Sequence, residues 1–206
     1  MKLFVTGTDT DVGKTIASAW LIHKLNAAYW KPVQSGLDGE TDIDTIRRLT
    51  SLDERYIFQP SYELPEPLSP HEAARRAGIT IEMDRFVLPR SDKPLIIEGA
   101  GGVLVPLNDQ DMMVDLMTHL DAPVVLICRS ELGTINHTLL SLEGLRARGI
   151  EIRGVIINGP AAPHNARALK QYGGVDVIAE IPQLEYLTRE TISRIPAITD
   201  LSGLAI

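Results

Sequence analysis

Cysteine is almost absent from the chain: Cys128 is the one cysteine among 206 residues. A single cysteine excludes a disulfide within the chain and is typical of a reducing compartment, so we expect a cytoplasmic protein. Long apolar runs are absent as well. None approaches the roughly 20 residues that a membrane-spanning helix needs, and the run after Lys2 is too short for a signal peptide. We therefore expect no membrane partner.

Basic residues are outnumbered by acidic ones. The chain has 20 lysines and arginines against 27 aspartates and glutamates, which gives a formal net charge of −7. This balance argues against a nucleic-acid partner, because such a partner needs a basic surface. The apolar share of 44% and the charged share of 23% are ordinary for a globular protein. With no internal repeat or linker in the sequence, we expect residues 1–206 to form one domain.

Short apolar runs recur along the chain, each closed by glycine, proline or a polar residue. Because their apolar character is continuous rather than alternating, they predict strands that are covered on both faces, as in a parallel sheet. The runs are Leu3 to Thr6, Ala28 to Val33, Pro94 to Glu98, Pro123 to Cys128, Arg153 to Asn158 and Val175 to Ile181. Helical patterns lie at Gly13 to Asn26, Asp42 to Leu49, Met112 to Leu120 and Thr134 to Arg148. This alternation predicts an α/β fold with a mainly parallel central sheet and helices on both faces.

Two stretches interrupt the alternation of strands and helices. Gln34 to Thr41 is rich in glycine and aspartate, and Gln59 to Pro70 contains four prolines. Both follow predicted strands, and the loops after the strands of an open α/β sheet are the usual place of ligand contacts. We therefore expect both stretches to be ligand-binding loops.

The segment Gly7 to Thr15 joins the first predicted strand to a predicted helix and ends in Gly-Lys-Thr. Backbone N–H groups at a helix N-terminus form an anion site, and glycine lets the backbone approach phosphates closely. Lys14 adds a cation for the β- and γ-phosphates, and the Thr15 hydroxyl can bind Mg²⁺. The usual motif has a glycine at the position of Thr8, one residue later than this chain has it. The strand before and the helix after nevertheless predict a P-loop, the phosphate-binding loop of many ATP- and GTP-using proteins.

Glu98 closes the apolar run Leu95 to Ile97 and is followed by Gly99. A carboxylate at the carboxyl end of a central strand, beside a phosphate loop, is well placed to hold Mg²⁺ or its water. The alternative is a solvated glutamate at a glycine turn, which the buried character of the preceding run disfavours.

Lys31 stands among strand-forming residues, where a lysine is usually solvated. Because a Gly/Ser loop follows, Lys31 could equally point into a site and stabilise negative charge.

Asp42 and Asp44 open a predicted helix, where aspartates complement the helix dipole. One of them could instead be a second acidic metal ligand, and spacing does not choose between them. Asn158 ends another predicted strand, either as part of a turn or as an amide that recognises a nucleotide base.

Five segments then occur in a characteristic order along the chain. They are Gly7-Thr8-Asp9-Thr10-Asp11-Val12-Gly13-Lys14-Thr15, Lys31-Pro32-Val33-Gln34-Ser35-Gly36, Ser69-Pro70-His71, Glu98-Gly99-Ala100-Gly101-Gly102 and Leu132-Gly133-Thr134-Ile135-Asn136-His137. With Glu180-Ile181-Pro182 near the end, they resemble the dethiobiotin synthetase family over nearly the whole chain. That family carries the Thr-Asp-Thr insertion in its P-loop, which accounts for the displaced glycine.

The resemblance implies a reaction in which ATP, CO2 and 7,8-diaminopelargonic acid give dethiobiotin, ADP and phosphate. An amine of the substrate forms a carbamate with CO2, the carbamate attacks the γ-phosphate, and the second amine closes the ureido ring by displacing phosphate. Phosphoryl transfer depends mainly on positioning and charge neutralisation, so Lys14 and Mg²⁺ are expected to dominate.

The resemblance also implies residue roles. Lys31 and Lys14 would be catalytic, and Thr10, Lys31 and Ser35 would contact the diamine. Thr15, Asp42 and Glu98 would surround Mg²⁺, with Asp44 remaining an alternative to Asp42. ATP would contact Asp11, Val12, Gly13, Lys14, Thr15, Ile16, Asp42, Glu98, Gly99, Ala100, Gly101, Asn158, Pro182, Gln183 and Leu184. The family is homodimeric, and Gly133 and Asn136 would complete the substrate pocket of the partner.

A second hypothesis is a nucleotide-switch ATPase of the cell-division and partition type, which is built on a related P-loop fold. Members of that class carry a second lysine early in the loop, where this chain has Thr8, Asp9 and Thr10. A third, an amidotransferase-linked ligase, would need a glutaminase domain with a nucleophilic cysteine. The 206 residues and the strand-end Cys128 leave no room for such a domain, and the nucleotide-switch class gives no reason for Lys31 before a Ser-Gly loop.

Overall fold

Seven parallel strands form the central sheet of the structure, a computed structural model that describes residues 1–204. The strands of the protein are β1 (Lys2–Gly7), β2 (Ala28–Trp30), β3 (Val33–Ser35), β4 (Ile57–Phe58), β5 (Tyr62–Leu64), β6 (Leu95–Gly102), β7 (Val124–Arg129), β8 (Ile152–Asn158) and β9 (Val177–Ile181). The spatial order of the central sheet is β4-β2-β6-β1-β7-β8-β9, and β3 pairs with β5 in a separate two-stranded parallel sheet.

Helices cover both faces of the central sheet. They are α1 (Lys14–Leu25), α2 (Asp42–Thr50), α3 (Pro70–Ala77), α4 (Met113–His119), α5 (Thr134–Arg146), α6 (Pro163–Gly173) and α7 (Arg189–Ser193). Successive strand residues point to opposite faces, so Leu3 and Val5 of β1 pack in one core with α1, α2 and α7, and Phe4 packs in the other with the remaining four helices. The predicted α/β fold with a mainly parallel sheet is confirmed. Within residues 1–204, the helices are too short or too polar to cross a bilayer.

The strand predicted over Ala28 to Val33 is wrong in one respect, because two strands of different sheets occupy it. β2 ends at Trp30 and β3 begins at Val33, with Lys31 and Pro32 between them. Proline has no N–H to donate to a neighbouring strand, so it interrupts the ladder. This break lets the chain leave the central sheet next to β6.

The sequence patterns missed β4, β5, α3, α6 and α7. Both strands are three residues or shorter, and the proline-rich stretch read as a loop contains β5 and the first residue of α3. Pro70 and Pro163 stand in the first turn of α3 and α6, where proline is favoured because its missing N–H has no helical partner. Here proline marks helix starts rather than loops.

The order of the strands positions the site. β1 lies between β6 and β7, so the chain moves to one side of β1 for β2 and β4 and to the other for β8 and β9. Ligands of open α/β sheets bind at such a reversal, outside the carboxyl ends of the strands. The P-loop follows β1 at this edge.

Candidate active site

The P-loop Gly7 to Thr15 curls over the carboxyl end of β1. The Thr8 N–H donates to the carbonyl of Ile127 at 2.9 Å, which anchors the loop to β7. Asp11 and Gly13 have left-handed backbone dihedrals, with φ of 56° and 92°. Such turns direct successive N–H groups into one concavity, which binds anions.

Lys14 begins α1 and is buried, with its Nζ donating to the carbonyl of Asp9 at 3.1 Å. Burial, together with the nearby charge of Lys31, lowers the pKa of Lys14 below its ordinary value. A phosphate group would stabilise both cations, so this loop is electrostatically suited to a polyanion.

Arg129, the last residue of β7, holds the inserted part of the P-loop. Its Nη2 donates to the carbonyl of Thr10 at 2.9 Å and lies 3.6 Å from Asp9 Oδ2. Arg129 is not among the site residues predicted from the sequence. Its place at the end of an apolar strand run, next to the strand that carries the P-loop, is the signal that could have identified it.

Lys31 is buried between two carboxylates. Its Nζ lies 2.9 Å from Asp42 Oδ2 and 3.2 Å from Glu98 Oε1, and the residue is 4% exposed. The interpretation of Lys31 as a solvated strand residue is therefore wrong. Burial lowers its pKa, but the charges of Glu98 and Asp42 outweigh burial, so the pKa of Lys31 lies above its ordinary value. The ammonium group stays charged at the centre of the site.

The structure separates the two aspartates at the start of α2. Asp42 points at Lys31 and at the Thr15 hydroxyl, whereas Asp44 forms a capping box with Thr41 and an ion pair with Arg47. Burial raises the pKa of Asp42, but Lys31 and Thr15 outweigh it, and the pKa lies below its ordinary value. Asp42 is thus the aspartate of the site and Asp44 caps the helix; a metal-ligand role for Asp42 stays a prediction.

Three oxygen-bearing groups converge beside the P-loop. The Thr15 Oγ1 lies 2.5 Å from Asp42 Oδ1 and 2.9 Å from Glu98 Oε1. A hydroxyl has one hydrogen and can donate it to only one carboxylate, so the other contact brings oxygen lone pairs together. A bound cation would relieve that repulsion, and hard oxygen donors are those that Mg²⁺ prefers. Within residues 1–204, no group of three His, Cys, Asp or Glu residues is arranged to hold a metal, so water or phosphate oxygens would complete such a site.

Glu98 is 1% exposed and uses both of its oxygens. Oε1 contacts Thr15 Oγ1 and accepts from Lys31, and Oε2 accepts from the Tyr29 hydroxyl at 3.1 Å. Tyr29 was not predicted as a site residue either, because in the sequence it is one of several apolar residues in a strand. The sheet register could not be known in advance, and it is the register that brings Tyr29 to Glu98.

A cavity of about 640 Å³ opens over these groups. The residues that line it are Thr10, Asp11, Gly13, Lys14, Thr15, Ile16, Lys31, Ser35, Asp42, Thr45, Pro67, Leu68, Ser69, Pro70, Glu98, Ala100, Gly101 and Val105. Most of the predicted phosphate, metal and substrate residues are among them. The Ser35 Oγ is buried without a hydrogen-bond partner in the described chain, so it is free to bond a ligand.

A second cavity, of about 490 Å³, lies on the other side of the P-loop. It is lined by Asp11, Ile16, Arg129, Glu131, Asn158, Gly159, Pro160, Ile181, Pro182, Gln183, Leu184 and Leu187. The predicted base-binding residues Asn158 and 182–184 therefore share one cavity. Asp11 and Ile16 line both cavities, so the two cavities adjoin at the P-loop and the start of α1.

Two predicted ATP contacts do not line either cavity. Val12 is fully buried and presents its carbonyl to the Asn158 amide, which donates to it at 3.0 Å. Gly99 packs against Phe4, where an added Cβ would lie 2.8 Å from Cε1 of the ring. Gly99 contributes its carbonyl to Lys31 Nζ at 3.5 Å. Both residues shape the site through backbone atoms.

Gly133 and Asn136 lie at the exposed start of α5, away from the main cavity of the same chain. Their neighbours Leu132, Thr134 and His137 line a small cavity with the inserted part of the P-loop, near Thr8 and Asp9. Neither Gly133 nor Asn136 lines the main cavity of its own chain. The predicted substrate contact would therefore have to be made in the cavity of a partner chain.

A parallel α/β sheet with a P-loop after β1 and a lysine-carboxylate cluster at its carboxyl edge defines a P-loop nucleotide-binding protein. A family model described as an AAA domain matches residues 1–191. The fold is similar to that of a ParA family ATPase from Chlorobium tepidum TLS, with a TM-score of 0.55 at 15% identity over 93% of this chain and 96% of the other. At that identity the likeness shows the fold alone.

More similar sequences identify the family. The ATP-dependent dethiobiotin synthetase BioD of Paramagnetospirillum magneticum is 49% identical over 94% of this chain and 94% of its own length. That of Nitrobacter hamburgensis is 45% identical over 93% of this chain and 90% of its own length. The chain belongs to the ATP-dependent dethiobiotin synthetase family. It is accordingly an enzyme, a ligase that forms a carbon–nitrogen ring with the use of ATP.

Proposed function

We propose that the chain makes dethiobiotin from 7,8-diaminopelargonic acid, CO2 and ATP in biotin biosynthesis, with the cavity beside the P-loop as its active site. The observation that carries this assignment is the buried cluster in which Lys31 lies 2.9 Å from Asp42 and 3.2 Å from Glu98. The same cavity contains Lys14 of the P-loop. Two buried lysines at one point suit a reaction that moves a phosphoryl group between anions.

The reaction has three steps. One amine of the substrate bonds to the carbon of CO2 and loses a proton, which gives a carbamate. A carbamate oxygen then attacks the γ-phosphorus of ATP; the bond from the γ-phosphorus to the bridging oxygen breaks and ADP leaves. The second amine finally attacks the carbamate carbon, phosphate leaves with the bonding electrons, the amine loses a proton and the ureido ring closes.

ATP is proposed to lie across both cavities. Its phosphates would bind the N–H groups of the P-loop around Gly13, with Lys14 on the β- and γ-phosphates. The base would enter the second cavity, against Asn158 and the segment 182–184. The Asn158 Nδ2 donates to the carbonyl of Val12. The side-chain oxygen of Asn158 would therefore accept a hydrogen bond either from solvent or from the amino group of a purine.

Mg²⁺ is proposed to be held by Thr15, Asp42 and Glu98, because the Thr15 hydroxyl lies within hydrogen-bond distance of both carboxylates. When bound, the ion would neutralise negative charge on the phosphates. The protein's own contribution is to fix these oxygens through α1, α2 and β6, and to keep Lys31 beside them.

Lys31 is proposed to stabilise the carbamate and the transferring phosphoryl group, because it is the charged donor nearest to both carboxylates and lines the cavity. Thr10 and Ser35 are proposed to contact the diamine. Support comes from the free hydroxyl of Ser35 and from the position of Thr10 on the cavity wall. Oriented donors of this kind lower the barrier by holding the reacting atoms together.

A homodimer is proposed, in which Gly133 and Asn136 reach the substrate of the partner. The support is the surface at the start of α5: Leu132 is fully exposed and Leu140 is 59% exposed. Leu132 precedes α5 and Leu140 lies within it, and exposed large apolar side chains in one region of the surface are typical of an interface. We further propose that residues 1–206 act as one cytoplasmic domain without nucleic-acid or membrane partners.

The test of the activity is phosphate release by purified protein with Mg-ATP. Release is expected only when diaminopelargonic acid and bicarbonate are both present, with dethiobiotin formed in equal amount. Omission of either is the control for phosphate release. An analogue that carries one amine is the control for product formation, because it cannot close the ring. Phosphate release that is indifferent to the diamine would contradict the proposal and favour a nucleotide-switch ATPase.

A further inference from the structure

The Tyr29 hydroxyl forms a hydrogen bond to a carboxylate of the site from within the protein core. Tyr29 is fully buried in β2, and its Oη lies 3.1 Å from Glu98 Oε2. The parallel register pairs Tyr29 with Ile96. Since strand residues two apart share a face, Glu98 lies on the same side of the sheet as Tyr29, one step further towards the carboxyl edge. The contact is therefore built into the pairing of β2 with β6.

The two oxygens of Glu98 have different partners. Oε1 faces the site, where it contacts Thr15 at 2.9 Å and Lys31 at 3.2 Å. Within the described chain, the hydrogen-bond donor to Oε2 is Tyr29. The terminal torsion of a glutamate is broad and weakly restrained by itself. A hydrogen bond to the rear oxygen restrains that torsion and so fixes the direction of the front oxygen.

We propose that Tyr29 is a positioning residue, which holds the Glu98 carboxylate in the orientation that serves Thr15, Lys31 and the metal-nucleotide complex. It does not touch the cavity, so it acts through Glu98 alone. Groups that orient a ligand carboxylate in this way commonly affect metal affinity as much as tenfold to a hundredfold.

The test compares Tyr29→Phe with Tyr62→Phe. Both remove one hydroxyl from a buried tyrosine, but that of Tyr62 contacts the backbone of Glu82, which lines neither the main cavity nor the second one. Calorimetric titration with a non-hydrolysable ATP analogue over a series of Mg²⁺ concentrations reports binding without turnover. Tyr29→Phe is expected to raise the Mg²⁺ concentration at half-maximal binding by roughly tenfold, and Tyr62→Phe is expected to leave it unchanged. Equal values for Tyr29→Phe and wild type would overturn the proposal, as would an equal shift in both variants.

A double variant keeps the test decisive if Tyr29→Phe does not fold because Glu98 Oε2 loses its donor. Glu98→Gln removes the charge, and Tyr29→Phe/Glu98→Gln is compared with it. If Tyr29 acts through the carboxylate, the two proteins need the same Mg²⁺ concentration for half-maximal binding of the analogue. A higher concentration in the double variant would show a separate role for Tyr29 and overturn the proposal.

The inference rests on the proposed function only in its activity measurement, where kcat at limiting Mg²⁺ is expected to fall in Tyr29→Phe and to recover at high Mg²⁺. The binding measurement stands apart. Wild-type protein that binds the Mg-dependent analogue but makes no dethiobiotin would end the proposed function and leave the role of Tyr29 intact. If wild type makes dethiobiotin and Tyr29→Phe binds the analogue with an unaltered Mg²⁺ dependence, the proposed function stands and the role of Tyr29 is overturned.

Discussion

Gly13 and Asn158 lie in contact across the P-loop: a Cβ added to Gly13 would sit 2.2 Å from Nδ2 of Asn158. The same amide donates to the carbonyl of Val12 at 3.0 Å. The end of β8 is thereby tied to the turn that precedes α1, and the predicted phosphate and base positions become parts of one rigid unit.

Gly13→Ala is expected to weaken binding of an ATP analogue by at least about tenfold, because the left-handed backbone alone costs a non-glycine residue about 1–2 kcal/mol and the methyl group would displace Asn158. Calorimetry measures the affinity. The control is Gly149→Ala, where φ is also positive, at 67°, and the space around the added atom is open. Both variants are expected to lose stability, and only Gly13→Ala to lose nucleotide. Equal nucleotide affinity in Gly13→Ala and Gly149→Ala would show that the contact between Gly13 and Asn158 is not needed for nucleotide binding.

Lys31→Gln is expected to lower kcat by about 100- to 1,000-fold, the usual effect of removing one charged or hydrogen-bonding donor from a transition state. Affinity for an ATP analogue is expected to stay within a few-fold of wild type, because Lys14 and the P-loop remain. Steady-state kinetics and calorimetry check the two parts. Lys170→Gln, which removes a surface ion pair with Asp176, is the control; wild-type activity in Lys31→Gln would take Lys31 out of the site.

The stability of the metal-free protein is expected to depend on pH differently in Lys31→Gln. In wild type the pKa of Lys31 is raised and that of Asp42 is lowered. The contribution of Asp42 is therefore present above about pH 4 and lost as the solution becomes more acidic, and that of Lys31 is present up to about pH 10 and lost above it. Between about pH 4 and about pH 10, the Lys31–Asp42 pair should therefore cause little change in the wild-type free energy of unfolding.

Without Lys31, the pKa of Asp42 in the folded state is expected to rise from its wild-type value, because burial still raises it and only the Thr15 hydrogen bond and the charge of Lys14 remain to lower it. The stability that the ionised Asp42 contributes above about pH 4 is then smaller, so the free energy of unfolding is expected to increase less with pH in this region than in wild type. Thermal unfolding of both proteins in a chelator, at several pH values, measures this difference. Parallel curves of stability against pH in wild type and Lys31→Gln would show that Lys31 does not compensate the charges of the carboxylates.

Arg129→Gln is expected to raise KM for ATP about threefold to tenfold, since a hydrogen bond from a charged donor to the Thr10 carbonyl is lost and part of its strength is already screened by solvent. The inserted residues of the P-loop would then sample open positions. Initial rates over a range of ATP concentrations provide the measurement. Arg55→Gln, which removes an exposed ion pair with Asp53, should behave as wild type. An unchanged KM in Arg129→Gln would mean that the loop needs no anchor on β7.

Leu132→Glu is expected to dissociate the proposed homodimer, because a buried charge without a partner costs more than a small interface tolerates. Light scattering after gel filtration should give the mass of one chain, and KM for the diamine should rise while affinity for the ATP analogue remains. Val87→Glu places the same charge at another exposed apolar position and should leave the mass unchanged. A monomeric wild type, or a dimeric Leu132→Glu, would contradict the proposed assembly.

Part of the site was predictable because it is local. The first strand, the P-loop and α1 are contiguous, so apolar pattern, glycines and Lys14 suffice to place a phosphate site at a helix N-terminus. Lys31, Glu98 and Asn158 were candidates because each stands in or at the end of a predicted strand beside a loop, and the structure brings all three to the same edge of the sheet.

Other parts depend on which strands become neighbours. Asp42 and Asp44 are equivalent by spacing, and only the packing of α2 against α1 turns Asp42 to Thr15 while Asp44 caps the helix. Tyr29 looks like an ordinary strand residue until the β2–β6 register sets it beside Glu98.

By itself, the sequence determined the alternation of strands and helices, the P-loop and the family to which the chain belongs, because these follow from residues that are close together or from motifs in a fixed order. The tertiary structure alone decided that Lys31 is buried between Asp42 and Glu98. Burial and ion-pair distances arise from residues 11 to 67 positions apart along the chain, and the free energy of such a cluster depends on how far solvent is excluded from it.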